Sequence, residues 1–262
     1  MVVRKQYLLS APVYAKRQEL ISKIPNFWPL VFEAAPPEVD HYIQPTDSEI
    51  FAACLTGIDV QRFEIPMGPE KIVASEGDPR SLLFRFDFSE NEWFKNTTLE
   101  KKFWYRKSKK GWSGLVSEPV KIDWKKGKDP THGLSDAAVK LWQARTKAGD
   151  MLKKDLPEHK KLHELLDQWN GENTSFFTWF SYICSGPPYV SAEESAQAVK
   201  EEIERKEKRK SGAPVEETVL DEEDLEDSNE SDEVHETGED IANLIADDVW
   251  PGAIRYFSEY DL

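Results

Sequence analysis

The chain has 262 residues, 39% hydrophobic and 32% charged, with 9 Trp, 13 Phe and 8 Tyr and a net charge of −15. This is enough apolar and aromatic surface for a packed core in one large domain or two small ones. Cys54 and Cys184 have no motif spacing, which gives no disulfide framework or cysteine zinc site and fits a reducing compartment. With no run of about 18 apolar residues and no signal-like N-terminal stretch, a soluble intracellular chain with no membrane partner is expected.

At the N-terminus, Val13, Leu20 and Phe27 are seven apart, as are Tyr7, Tyr14, Ile21 and Trp28, with Ile24 between. These positions read as one apolar stripe of a helix packing on another helix. Pro12 interrupts it, and Pro25 disfavours helix at the residue before it. Pro36 and Pro37 mark a loop, and Thr46 or Asp47 can cap a short helix running to Cys54. Leu82, Phe84, Phe86 and Phe88 then alternate with Leu83, Arg85, Asp87 and Ser89, the pattern of a half-buried strand with an aromatic inner face. Leu99, Phe103 and Tyr105 share a parity in the next strand. Gly111 to Gly114 form a turn, and Val120, Ile122 and Trp124 make a third alternating run, so an antiparallel sheet is expected. Residues 101–128 carry ten Lys or Arg against Glu118 and Asp123. They can touch phosphates, although Trp104, Tyr105 and Trp112 among them read equally as core.

Residues 129–173 read as charged helices anchored by Leu141, Trp142, Leu152, Leu162, Leu165, Leu166 and Trp169. The apolar run Phe176–Phe180 and a Gly186-Pro187-Pro188 break follow. Residues 191–210 are helix-prone with almost no apolar face. Their RKEKRK end at 205–210 is either a nuclear localisation patch or a solvated helix end. From Glu216 to Asp240 there are fourteen acidic residues and no Lys or Arg, which leaves a net −1 for the rest of the chain. Such a run reads either as a solvated disordered segment or as an electrostatic lure for a basic partner, and 211–238 is expected to be disordered. Ile241, Leu244, Ile245, Val249 and Trp250 return to helical spacing, and Ile254, Tyr256 and Phe257 close the chain.

No catalytic constellation stands out. There is no phosphate loop, dinucleotide fingerprint or nucleophile elbow. His159 and His163 can share a helix face, but a zinc site needs three or four ligands and the sequence shows no third, so surface decoration is expected. Asp247 and Asp248 are adjacent, and neighbours on a helix point about 100° apart, which argues against a joint acid or metal site.

Several segments resemble the nucleosome assembly protein family, in particular its SET branch: KRQELISKIPNFW at 16–28, FSENEWFKNTTLEKKF at 88–103, SEPVKIDWKKGKD at 117–129, SFFTWF at 175–180 and DDVWPGAIRYF at 247–257. They occur in the family's order, with the acidic insertion of a fungal-type member. The resemblance implies an α+β fold: a long N-terminal dimerisation helix followed by an earmuff domain with an antiparallel β-sheet backed by helices. Residues 1–28 are then the dimerisation helix, N-terminally truncated relative to the family, with Tyr14, Leu20, Ile21, Ile24 and Trp28 at the homodimer interface. Residues 29–189 are the earmuff domain, 190–238 the charged, disordered insertion and 239–262 the C-terminal helices that complete the domain. The family's acidic segment usually follows the last helix, whereas here it precedes it.

The resemblance further implies a nuclear histone chaperone, with shuttling to the cytoplasm as an additional expectation. It would bind core histones through an acidic underside, where Thr178, Ser181, Glu239, Asp240, Asp247 and Asp248 match the family's implicated positions. It would support nucleosome assembly without a cofactor or catalysis. A weak DNA contact is a further implication. The alternative is a regulatory role, as cofactor of a histone acetyltransferase or inhibitor of a protein phosphatase.

Overall fold

The computed structural model describes residues 2–66, 77–169, 174–184, 189–211 and 232–260. The chain opens with α1 (Val2–Ile21), which carries Pro12 inside it. Proline has no N–H, so the Leu8 carbonyl loses its helical donor, yet the helix continues. It ends at Ile21 rather than at residue 28. Pro25 disfavours helix at Ile24, Asn26 takes a left-handed conformation (φ 55°), and α2 (Phe27–Glu33) starts as a separate element.

Two short helices follow, α3 (Pro37–Asp40) and α4 (Pro45–Cys54). The start of α4 lies one residue before the expected caps. Asp47 instead sits in the first turn, and its Oδ2 accepts from the Gln44 N–H at 3.0 Å. The same carboxylate accepts from Ser175 Oγ at 2.6 Å and from the Phe176 N–H at 2.8 Å. Burial raises the Asp47 pKa and these hydrogen bonds oppose the rise. One acidic side chain thus ties α4 to a segment well over a hundred residues away.

Four strands form an antiparallel meander: β1 (Leu55–Gln61), β2 (Leu82–Phe88), β3 (Thr98–Lys107) and β4 (Ser113–Ser117), in the order β1-β2-β3-β4. The alternation in β2 is as expected, with Leu82, Phe84, Phe86 and Phe88 buried. Register pairs Phe86 with Leu99 and Leu82 with Phe103, which puts all four on one face. The fourth strand corrects the reading of Val120, Ile122 and Trp124. The pairing with β3 starts at Ser113 and is used up by Ser117. Beyond it Pro119 has no N–H to give, and the Ser117 and Val120 N–H groups turn to Ile183 and Phe180 carbonyls. Only a bridge between Phe94 and Trp124 remains of the expected strand.

A 3-10 helix (Phe176–Ser181) lies on the aromatic face of the sheet. Trp179 meets Phe84 edge-on at 5.1 Å and Phe103 at 5.3 Å, and Phe180 meets Phe86 at 5.4 Å. Each such pair adds about 0.5–1.5 kcal/mol beyond the burial itself. The cluster continues through α2, α4 and the C-terminal helices as one core.

The helices α5 (Leu134–Ala148) and α6 (Pro157–Gln168) pack on each other around a small second core of Leu134, Ala138, Leu141 and Leu162. Of the expected anchors in 129–173, Leu152 is exposed. The helix expected at 191–210 is α7 (Ala192–Lys210). It is docked: Ser195 Oγ accepts from the Lys107 N–H, and Glu202 pairs with Lys107 at 2.6 Å.

The Gly186-Pro187-Pro188 break and the acidic run up to Ser231 lie outside the described residues. Residues 232–237, however, contradict the disorder expected through 238. Val234 joins the small core, and His235 is 2% exposed. The chain closes with α8 (Gly238–Leu244), a π-helical turn (Ile245–Val249) and α9 (Ala253–Tyr260).

Candidate functional site

The surface that the sequence singles out is built by α8 and the π turn, and three contacts set its position. Trp179 Nε1 donates to the Gly238 carbonyl at 2.9 Å. A Cβ at 238 would lie 2.2 Å from the Tyr182 ring, so only glycine allows α8 to start there. At the other end, buried Arg17 of α1 donates to the Trp250 carbonyl at 2.5 Å and lies over the Tyr14 and Trp250 rings. Burial pulls the guanidinium pKa down from its usual value, and the carbonyl and ring contacts hold its charge in place.

On this scaffold Asp240, Asn243 and Asp247 are all exposed. Their spacing of three and four residues puts them on one outward face. Asp247 pairs with Arg62 at 2.8 Å while its side chain stays 66% exposed. Asp248 accepts from Arg255 at 2.8 Å and from the Tyr256 hydroxyl at 2.5 Å. Glu239 is engaged differently: its Oε1 accepts from the Leu115 N–H at 3.0 Å. Leu115 lies on β4, the edge strand, so Glu239 covers an edge group that would otherwise be open to pairing. Beside α1 the same region borders a groove of about 420 Å³ lined by Tyr7, Tyr14, Arg62, Asp247 and Trp250 among others.

Thr178 and Ser181 do not belong to this surface. Both are 1% exposed, and Thr178 Oγ1 donates to the Ser175 carbonyl inside the 3-10 helix. They flank aromatic side chains that fill the core, and a six-residue 3-10 segment between sheet and helices leaves neither side solvated. Of the six expected contact residues, the structure leaves Asp240 and Asp247 exposed on one face, ties the partly buried Asp248 to Arg255 and Tyr256, sets Glu239 against the sheet edge and buries Thr178 and Ser181.

The acidic run returns to the domain beside two oppositely charged groups that attract each other, Lys101 and Glu233, which sequence reasoning missed. Lys101 is fully buried, and its Nζ donates to the carbonyls of Glu118 (2.8 Å), Phe180 (3.0 Å) and Tyr182 (2.6 Å). Glu233 accepts from the N–H groups of Ile183 (2.9 Å), Cys184 (3.2 Å) and His235 (3.2 Å). Burial pushes the Lys101 ammonium down and the Glu233 carboxyl up, and their mutual attraction opposes both shifts. With Val234 N–H also donating at 3.1 Å, four donors on the carboxylate and three acceptors on the ammonium favour the ionised forms. Composition gives no signal for this, since Glu233 is one acid among fourteen.

The basic segment is less open than its charge suggests. Lys101 is buried, Lys107 and Lys109 face Glu202 and Glu201 of α7, Lys121 faces Asp123 and Lys128 faces Glu92.

On α1, two apolar faces replace the single expected stripe. Tyr14 and Ile21 turn inward to the core, and Trp28 belongs to α2 with 3% exposure. Val2, Leu9, Val13 and Leu20 point outward at 79%, 69%, 64% and 64% exposure. Residues 13 and 14 lie about 100° apart on a helix, so two series of sevens one residue apart cannot share a face. Of the expected dimer residues only Leu20 and Ile24 are exposed.

A four-stranded antiparallel meander with helices behind it, an N-terminal helix packed on the core and an acidic helical surface define an α+β domain. Among the described residues no helix is long and apolar enough to cross a membrane. The family model of the nucleosome assembly protein (NAP) matches residues 10–260. Protein SET of Drosophila melanogaster is 30% identical over 265 residues, covering 100% of this chain and 65% of that protein. Two solved structures share the fold: the Vps75 histone chaperone (TM-score 0.55, 18% identity, 99% of this chain and 89% of that one) and Ccp1 (TM-score 0.54, 22% identity, 99% and 86%). The chain belongs to the nucleosome assembly protein family, in its SET branch. It spans between about half and two thirds of the length of the curated relatives it matches.

Proposed function

We propose that this chain is a nuclear histone chaperone that binds basic core histones, supports nucleosome assembly and catalyses nothing. The observation that carries this reading is the run of nine carboxylates without a cation over 212–231, joined at one end to docked α7 and at the other to a segment in which Val234 and His235 are buried. Its charge acts over roughly a Debye length, about 8 Å at physiological salt, and raises the capture rate of a cationic partner. Asp240 and Asp247 sit at its downstream side on a rigid helix and give short-range contacts of fixed geometry. Membership of the family and the likeness in fold to the Vps75 histone chaperone support the same reading. The RKEKRK end of α7, exposed from Lys206 to Lys210, fits a nuclear import signal and equally a solvated helix end.

The two acidic elements separate in a binding experiment. Deleting residues 212–231 is expected to slow association with purified core histone pairs and to flatten the salt dependence, leaving a measurable complex. Changing Asp240 and Asp247 to Lys, with the run intact, is expected to speed dissociation, at a cost of ~1–3 kcal/mol, or roughly 5–150-fold in Kd. Stopped-flow and competition binding at two salt concentrations read both. If the deletion abolishes binding and the Lys pair changes nothing, the fixed surface plays no part. If neither variant alters binding, the chaperone reading itself fails.

The outward face of α1 supports a homodimer. Val2, Leu9, Val13 and Leu20 are spaced seven, four and seven apart, and Gln6 and Lys16 complete the heptad pattern. Changing Val13 and Leu20 to Asp should leave the fold intact, since both are already solvent-facing, and give half the mass by light scattering. An unchanged mass would place the interface elsewhere. Ile21 is unsuited to this test because it lies in the protein's own core.

A further inference from the structure

We infer that His159, His163 and Asp232 form a binding site for one zinc-class divalent ion. The two histidines stand one turn apart on α6, and the Nε2 atoms of both lie close to a single carboxylate oxygen of Asp232. His163 Nε2 lies 2.7 Å from Asp232 Oδ1 and His159 Nε2 lies 3.1 Å from it, while the three donor atoms all fall within 4.8 Å of one another. In a tetrahedral site with metal–ligand bonds of 2.0–2.2 Å, neighbouring donors sit roughly 3.3 Å apart. An outward shift of a few tenths of an ångström therefore makes room for an ion between them. A fourth position is left for water.

The surroundings are those of a held site. The side chains of His159 and His163 are 11% and 22% exposed, and that of Asp232 is 23% exposed. His159 Nε2 is buried without a hydrogen bond of its own. Burial lowers the His159 pKa against the pull of Asp232, with His163, Arg145 and Lys154 adding to the fall. Arg145 of α5 donates from Nη1 to Asp232 Oδ2 at 2.7 Å and from Nε to the Lys153 carbonyl at 3.1 Å. It thereby fixes the carboxylate and leaves Oδ1 for the ion, the role an outer-shell partner plays in metal sites. Its charge opposes a dication, so the affinity is expected to fall well short of a structural cysteine site. Two imidazoles and one carboxylate suit zinc better than the all-oxygen preference of magnesium or calcium.

The site has a structural consequence. Asp232 lies toward the downstream end of the acidic run and precedes Glu233 and the buried Val234 and His235. An ion bridging α6 to Asp232 would fasten the exit of that run to the α5–α6 pair.

The test uses the full chain, stripped with a chelator and titrated with Zn²⁺ by calorimetry and with Co²⁺ by visible absorption. The expected result is one ion per chain, with a tetrahedral-intensity Co²⁺ band that Zn²⁺ displaces. His159→Gln, His163→Gln and Asp232→Asn should each weaken binding at least tenfold. A readout on the unaltered chain guards against misfolded variants: the side-chain Nε2 resonances of two histidines should shift on adding Zn²⁺, as the ring nitrogens become ligands. Absence of one-to-one binding, affinity unchanged in the doubly substituted His159→Gln/His163→Gln chain, or unmoved imidazole resonances would each overturn the site and assign any bound ion to surface carboxylates.

Discussion

Replacing Glu233 by Ala is expected to destabilise the domain by about 3–5 kcal/mol, because it leaves a buried ammonium without its counter-charge. Lys101 is 0% exposed and cannot reach water, and the four backbone N–H groups that donate to Glu233 would lose that acceptor as well. For a chain of this size the loss corresponds to a fall in Tm of roughly 10 °C. The cause is separable from general damage to the segment. Glu233→Gln keeps an acceptor oxygen but removes the charge, and Lys101→Met removes the ammonium. If the two charges support each other, the double variant costs less than the sum of the single ones. Thermal or urea unfolding of the four proteins gives the answer. A Glu233→Ala variant within about 1 kcal/mol of the unsubstituted chain would mean that residues 232–235 are not docked, since a broken buried pair is far costlier than that.

Stability should also fall as the solution is acidified from about pH 6.5 toward 4, and His235 is the group responsible for a definable part of it. Its ring is 2% exposed and lies against Tyr42 at 4.7 Å. Burial pulls its pKa from 6.5 to about 4, with the nearby Lys101 charge acting in the same direction. The folded state holds the proton less tightly than the unfolded chain. The neutral ring's contribution is therefore complete above about pH 6.5 and is lost as pH falls through 4, an amount on the order of 3 kcal/mol. Other carboxylates titrate in the same window, so the measurement is a difference. His235→Phe keeps the ring contact with Tyr42 and has nothing to protonate. Urea unfolding at about pH 7, 5.5 and 4.5 should show a shallower loss for His235→Phe than for the unsubstituted chain. Parallel curves would show that His235 already reaches water when folded.

The pattern of hits and misses has a common origin. The alternation of Leu82, Phe84, Phe86 and Phe88 was readable because a strand sends alternate residues to one face, and the aromatic 176–180 run could only lie inside. The spacing from Ile241 to Trp250 likewise declares its buried side, and the family resemblance across these segments carried the fold class. Charge along the chain separated the acidic run from the rest, since charge is additive and needs no neighbours. What failed depended on partners distant in sequence. The two heptad series on α1 looked like one stripe because only the domain beneath shows which one is covered. Thr178 and Ser181 read as surface residues, but the sheet and helices close over both. Residues 232–235 looked like more of the acidic tract, yet the Ile183 and Cys184 N–H groups donate to Glu233 and the packed core takes in Val234 and His235. The pair His159 and His163 lacked a third ligand until the fold brought Asp232 across 69 residues. Periodicity, composition and the run of charge are local properties and can be read along the chain. Which polar groups are buried together depends on which distant segments the packed core makes neighbours, and that emerges only on folding.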